Sequence, residues 1–291
     1  MTPSSDSELL QLAVPKGRMY DGVVSLLADA GVSVSQTARS YRPHVNLPGC
    51  EVKILKPQNI VEMLHVGSRD LGFAGADWVA ELDGELVELV DTGLDPVRVV
   101  AAAPESILDN GRLPGKRLVV ASEYQNLTRR WIERTGIDAR FVRSYGATEV
   151  FPPEDADLIV DNTATGSTLE ANDLVITDEL MSSSTRLYAN PRSLENPALR
   201  SRIDNLVVLI RSVLEARNRV MVEVNVGPED LAALLGVLPC MRQPTVSTLA
   251  DDAGFAVKAA VPRRQLPDTI LAVKAVGGTD IVVTRLAQIV A

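Results

Sequence analysis

The sequence predicts an α/β protein with two lobes and a small C-terminal domain, and three observations carry that reading. Short apolar runs alternate with helical patterns from Leu9 to about residue 185, which calls for a parallel or mixed sheet with helices on its faces. One long amphipathic helix follows Pro197. After Asn218 the order becomes strand, helix, two strands, helix, strand, the βαββαβ ferredoxin-like arrangement. A length of 291 residues agrees, being a prior of about two domains. The expected division is residues 1–96 with 186–217 as lobe I, 97–185 as lobe II, and 218–291 as the C-terminal domain.

Each element has a local reason. Leu9–Val14 is a short apolar strand, Pro15-Lys-Gly-Arg18 a turn, and Met19–Ala30 a helix with Val23, Leu26, Leu27 and Ala30 on one face, closed by Gly31. Glu51–Leu55 reads as a strand and 57–66 as a helix opened by Pro57. Leu71–Gly75 is a strand whose glycines allow close backbone approach, followed by a helical turn at Asp77–Glu81. Asp91-Thr-Gly93 echoes a phosphate turn without a helix after it and reads as a loop. Strands are expected at Val97–Ala103, Arg117–Ala121, Ala156–Val160 and Thr185–Ala189, with a helix at Leu127–Thr135 closed by Gly136. A loop carrying Pro191 and Pro197 follows.

The next helix has the clearest period, through Leu199, Ile203, Leu206, Ile210 and Val213. Asn196 caps it, and Arg211, Arg217 and Arg219 lie toward its C-terminal end, where the helix dipole favours cations. Val220–Val226 is a strand. Pro228 opens a helix with Leu231, Leu234, Leu235 and Leu238 on one face. Strands at Thr245–Leu249 and Gly254–Val261 are joined by Ala250-Asp-Asp-Ala. A helix opened by Pro262 or Pro267 ends at Gly277-Gly278, and Asp280–Thr284 is the last strand.

Composition limits the function. With Lys+Arg 29 against Asp+Glu 38, the net charge is −9, which argues against sequence-independent nucleic-acid binding. Two histidines, His44 and His65, and two cysteines, Cys50 and Cys240, argue against histidine-rich zinc sites and disulfide frameworks. Met1–Glu8 lacks the pattern of a signal peptide, and no apolar run approaches a membrane span, so a cytoplasmic enzyme or binding protein is expected.

The chemistry concentrates in Ala156-Asp-Leu-Ile-Val-Asp161-Asn-Thr-Ala-Thr165-Gly-Ser-Thr168-Leu169. A buried strand delivers Asp161 toward its C-terminal end, where ligands of open α/β sheets bind. A hydroxyl-rich turn and a helix starting near Leu169 follow, and N–H groups at a helix start attract anions. Hydroxyls and a glycine suit a phosphate, and an acid beside them suits ribose hydroxyls, so the shape suggests a ribose 5-phosphate.

This stretch resembles the phosphoribosyl-diphosphate (PRPP) loop of the ATP phosphoribosyltransferase family, matching at Asp157, Asp161, Thr165, Gly166, Thr168, Leu169 and Asn172. Further segments match in order: Ala13-Val-Pro-Lys-Gly-Arg18, Asp70-Leu-Gly-Phe-Ala-Gly-Ala-Asp77, Tyr124-Gln-Asn-Leu-Thr-Arg129, Gly146-Ala-Thr-Glu149 and Leu238-Pro-Cys-Met-Arg-Gln-Pro-Thr245. Two positions depart from the pattern: Ala164 stands where the family has a hydroxyl, and Lys56 where it has arginine.

The resemblance implies a catalytic body whose lobes resemble those of type II periplasmic binding proteins, with a C-terminal ACT-like regulatory domain. It implies transfer of the phosphoribosyl group of PRPP to N1 of ATP, with Mg²⁺ on the pyrophosphate. Asp157, Asp161, Thr165, Gly166, Ser167 and Thr168 would bind PRPP. Lys16, Arg18, Gly75, Tyr124 and Glu149 would bind ATP, with Lys16, Arg18 and Asp161 closest to the reaction. Histidine would inhibit from the C-terminal domain, beside Thr245, and a homo-oligomer, dimer or hexamer, is implied. Two other readings fit parts of the pattern: a two-lobed protein that binds a small ligand without chemistry, and a phosphoribosyltransferase with another acceptor.

Overall fold

The computed structural model describes residues 9–35 and 41–290; Met1–Glu8, read above for a signal peptide, lies outside them. The described residues fall into two compact units. One comprises residues up to Ser25 with Val32–Asp204, the other Leu26–Gly31 with Asn205 onward.

In the first unit the chain builds β1 (Leu10–Pro15), α1 (Met19–Asp29, which runs on into the second unit), β2 (Val34–Ser35), β3 (His44–Val45), β4 (Cys50–Leu55), α2 (Pro57–His65), β5 (Leu71–Gly75) and α3 (Ala76–Glu81). Next come β6 (Val87–Pro104), β7 (Leu118–Ser122), α4 (Gln125–Thr135), β8 (Ala139–Arg143), β9 (Leu158–Thr163), α5 (Ser167–Ala171), β10 (Leu174–Ala189) and α6 (Pro191–Glu195). One eight-stranded sheet runs through the unit in the order β4-β1-β5-β10-β6-β9-β7-β8. The β4-β1-β5 and β9-β7-β8 groups are parallel within themselves.

The long strands β6 and β10 lie antiparallel at the centre of the sheet and belong to both lobes. The end of β10, Thr185–Ala189, pairs with β5, whereas the far end of β6, Arg98–Ala102, pairs with β9. Their lengths correct the expected strands at Val97–Ala103 and Thr185–Ala189, which are only the uniformly apolar parts. Asp91-Thr-Gly93, expected as a loop, lies inside β6. There the register shifts, Gly93 has φ +65°, and Thr92 Oγ1 donates to Thr185 O at 2.6 Å, so the segment is a bulge in the crossing strand. The loop expected before Pro197 contains α6, with Asn190 Oδ1 accepting from the Arg192 N–H at 2.8 Å. Strands β2, β3 and β8 were not expected; all are short and lack an uninterrupted apolar run.

Helix α7 (Pro197–Arg217) buries all the residues of its predicted stripe. Its start is capped as expected, Asn196 Oδ1 accepting from Ala198 N–H at 2.9 Å and Leu199 N–H at 3.3 Å. Arg219, expected on this helix, instead opens the next strand.

The second unit contains β11 (Arg219–Val226), α8 (Leu231–Val237), β12 (Thr245–Thr248), β13 (Phe255–Pro262), α9 (Leu266–Ala275) and β14 (Thr279–Arg285). Its sheet order, β12-β13-β11-β14, with every pair antiparallel, is that of the ferredoxin-like arrangement. Burial alternates along β11, as it must when one face meets helices and the other does not. Val220, Val222, Val224 and Val226 form a core with Leu234 of α8, Val257 of β13 and Val273 of α9.

The α7 stripe sets a stability test. Ile203→Ala should cost about 2–5 kcal/mol through lost burial and a residual cavity, and Asn196→Ala about 1 kcal/mol through the lost cap. Urea unfolding with an unchanged slope should read both as lower midpoints.

Candidate functional site

The parallel strands of the two lobes end toward one another, and buried hydrogen bonds tie their ends together. After β5, the first turn of α3 carries Asp77, only 5% exposed. Its Oδ1 accepts from Ser183 Oγ of β10 at 2.7 Å, and its Oδ2 accepts from Tyr124 Oη, after β7, at 2.6 Å. Asn162 of β9 donates through Nδ2 to the same Tyr124 oxygen at 2.9 Å, and the Asn162 N–H donates to Asp161 Oδ1 at 2.7 Å. One turn further along α3, Glu81 is 2% exposed and accepts from the N–H groups of Asn126 and Leu127 at the start of α4, each at 2.9 Å. Helix α3 is thus fastened to the β7–α4 segment at two levels.

Strand β9 carries Asp161 two residues before its end, and the loop of residues 164–168 follows. Gly166 adopts φ +92° and starts α5; its N–H turns inward to Thr163 Oγ1 at 2.9 Å. Thr165, Ser167 and Thr168 are exposed, and the Thr165 and Ser167 hydroxyls lie 3.0 Å apart. The loop therefore presents a row of hydroxyls outward, held in shape from behind.

Beside it the charge is negative. Burial pushes the Asp161 carboxyl up to about 6, against the hydrogen bond from Asn162, and the carboxylates of Glu149 and Glu123 add to the rise. Glu149 is thus brought together with Asp161. Glu123, on the residue after β7, was not anticipated. Among the described residues, no group of three or more His, Cys, Asp or Glu side chains is placed to hold a metal ion.

Other expected residues take different positions. Asp157 precedes β9, at the opposite end of the strand from the loop. It accepts from Val119 N–H at 2.8 Å and faces Lys116 at 3.5 Å, so it joins β9 to β7 rather than reaching the loop. Tyr124 is wholly buried and stacked on Trp78 at 4.7 Å, so it offers no ring face to a base and acts through Asp77 and Asn162. Burial and the neighbouring Asp77 hold its phenol well above the ordinary range. Gly75 is buried, and a Cβ there would strike the Asp77 carboxylate, so this glycine makes room for Asp77.

Lys16 and Arg18 are exposed in the turn after β1, with Gly17 at φ +80° and Lys16 Nζ 5.8 Å from the Tyr41 ring centre. Lys56 is likewise exposed, in the turn between β4 and α2. His44 and His65 are exposed, and Cys50 and Cys240 are free thiols. In the second unit Thr245 opens β12, is exposed, and lines a pocket of about 330 Å³ with Cys240, Arg242, Gln243 and Lys258.

Known proteins match this chain along nearly its whole length. A family model described as ATP phosphoribosyltransferase matches residues 56–212, and one described as HisG, C-terminal domain, matches 216–288. The ATP phosphoribosyltransferase of Chlorobaculum parvum is 36% identical over 285 residues, 96% of each chain. That of Pelotomaculum thermopropionicum is 36% identical over 288 residues, 97% of this chain and 99% of the relative. A solved ATP phosphoribosyl transferase (HisG:HisZ) complex from Thermotoga maritima has a chain that superposes with a TM-score of 0.62 at 29% identity, covering 70% of this chain and 99% of that one.

The raised Asp161 carboxyl sets a pH dependence. An unfolded aspartate loses its proton near pH 3.9 and the folded one near 6, so the folded chain holds more protons between those values. The contribution of Asp161 to stability is complete below about pH 4 and is lost as the pH rises through about 6. Asp161→Asn should therefore melt above the wild type at about pH 7.5 and lose that advantage near pH 4. Thermal melts across pH check this; a constant difference would contradict it.

Proposed function

The chain belongs to the ATP phosphoribosyltransferase family, transferases of histidine biosynthesis, and from that premise we propose that it joins N1 of ATP to the anomeric carbon of PRPP, releasing pyrophosphate. The observation that carries the reading is the outward row of hydroxyls at Thr165, Ser167 and Thr168, with Asp161 directly before it. These hydroxyls donate to the 5-phosphate, and Asp161 accepts from the ribose hydroxyls. Gly166 supplies the left-handed backbone that lets the loop turn without a side chain in the way. Lys16 and Arg18 meet the pyrophosphate or triphosphate as flexible cations.

Repulsion among Asp161, Glu149 and Glu123 suits a divalent cation brought in by a substrate. Asp161 and Glu149 are the residues that would meet Mg²⁺ there. When bound, the ion supplies neutralisation of charge on the leaving pyrophosphate. What the protein's own residues contribute is position: the β9 loop holds the sugar, and the Asp77–Tyr124–Asn162 bonds hold that loop in line with lobe I.

We assign lobe I to residues 1–96 with 186–217, lobe II to 97–185, and regulation to 218–291. Histidine binds at the pocket beside Thr245, where Arg242 can meet a carboxylate. The active form is a homo-oligomer in the cytoplasm.

Mixing the protein with ATP, PRPP and Mg²⁺ should yield phosphoribosyl-ATP, followed by ultraviolet absorbance; a folded protein giving no product overturns the reading. Thr168→Ala should raise the KM for PRPP at least tenfold with an unchanged melting temperature, since it removes one charge-assisted donor from an exposed loop, about 1.5–3 kcal/mol. Thr245→Val should leave turnover unchanged and raise the histidine concentration needed for half-inhibition several-fold. Equal sensitivity in that variant removes Thr245 from the sensor.

A further inference from the structure

The second unit contains a basic pocket that the transfer reaction does not use. Arg217 ends α7, Arg219 begins β11, and Arg263 and Arg264 form the turn after β13. The four guanidinium-bearing residues line one pocket of about 610 Å³, together with Glu215 and Asn218. The backbone presets this arrangement. Arg219 is paired in register with Pro262, and the Arg263 N–H donates to Asn218 O at 2.8 Å, so the two cationic segments are held side by side.

Two of the four charges are already balanced. Arg217 bonds Asp29 at 2.7 Å, and Arg219 bonds Glu215 at 2.5 Å. Arg263 and Arg264 are exposed, and among the described residues neither has an ion-pair partner. A concentration of arginine like this is unusual on a chain of net charge −9, whose overall field repels anions. The volume is in the range of small-molecule sites. A single carboxylate would satisfy one guanidinium fork. Two adjacent free forks, with two further guanidinium groups beside them, match anionic oxygens repeated on neighbouring phosphorus atoms.

We propose that this pocket binds an oligophosphate anion, the chemistry shared by pyrophosphate and the triphosphate of a nucleotide, at a position separate from the β9 loop. The site lies where α7 passes into β11, at the entry to the βαββαβ domain. Neither Arg263 nor Arg264 belongs to the proposed catalytic or histidine sites.

The test uses the full-length chain and tripolyphosphate at about 0.15 M salt, where weak surface attraction is screened. Calorimetric titration should show one binding event more in the wild type than in R263A/R264A, or that event weakened at least tenfold, with the rate of phosphoribosyl transfer unchanged. Arginine labelling of the wild type, read by mass spectrometry, needs no variant to fold. Tripolyphosphate should slow labelling of Arg263 and Arg264, and sodium sulfate at equal ionic strength should not. Parallel titrations with pyrophosphate and ATP identify the source: tighter binding of one assigns the site to free oligophosphate or to nucleotide. Superimposable isotherms for wild type and variant overturn the proposal, as does equal protection by sulfate. Protection that grows with protein concentration and without added anion would show that a second copy of the chain fills the pocket, and also overturns it.

Discussion

Two buried carboxylates on one short helix govern the arrangement of the first unit. An ionised carboxylate out of water costs several kcal/mol unless hydrogen bonds replace its hydration. Asp77 finds its replacements on Ser183 and Tyr124, and Glu81 finds them on the N–H groups that open α4. Apart from Ser183 on β10, these partners follow β7, on the far side of the crossing strands from β5. Separating α3 from α4 would strand Glu81 and leave Asp77 with Ser183 alone, so this contact fixes how the ends of β5 and β7 face each other. It also explains why Gly75 lacks a side chain: the carboxylate next door occupies that space.

The same tie reaches the loop of residues 164–168. Asn162 bonds Tyr124 with its side chain and Asp161 with its backbone, so the orientation of Asp161 depends on a contact that begins in lobe I. Burying Asp161 beside Glu149 and Glu123 makes its charge costly in the free protein. In the proposed site a cation or hydroxyl donors would relieve that cost, favouring the bound state over the empty one. A net charge of −9 is therefore compatible with the proposed anionic substrates: the long-range field opposes them, and in that proposal local donors and a divalent cation would reverse the sign at short range.

Much of this was legible in the chain where the signal is local. The α7 stripe, its Asn196 cap, the βαββαβ order and the Asp161–Thr168 segment all follow from period, caps and turn chemistry within a few residues of each other. The long strands β6 and β10 were legible only in part, because a bulge at Asp91–Gly93 and polar residues at 177–184 interrupt their apolar pattern where they cross between lobes. Asp157 and Asp161 look alike in sequence, four positions apart, yet strand β9 sets them toward its opposite ends. The roles of Asp77, Glu81 and Glu123 were not legible. Their partners lie about 40 or more residues away, and nothing near an acidic residue in sequence says that it will be buried.

The scarcity of imidazole bears on the proposed reaction. His44 and His65 are exposed, and the Asp161 loop is surrounded by hydroxyls and carboxylates. A reaction that first had to remove a proton from its nucleophile would need a base with a pKa near neutrality at that spot. In the proposed transfer, N1 of adenine carries a lone pair and no hydrogen, so its attack on a sugar carbon needs no such base. What it needs is alignment with the anomeric carbon and a leaving group whose charge is already balanced. In the proposed site the shaped hydroxyl loop, the Asp161 carboxylate and the buried bonds behind them would supply alignment above all, the contribution expected where position, rather than proton transfer, limits the chemistry.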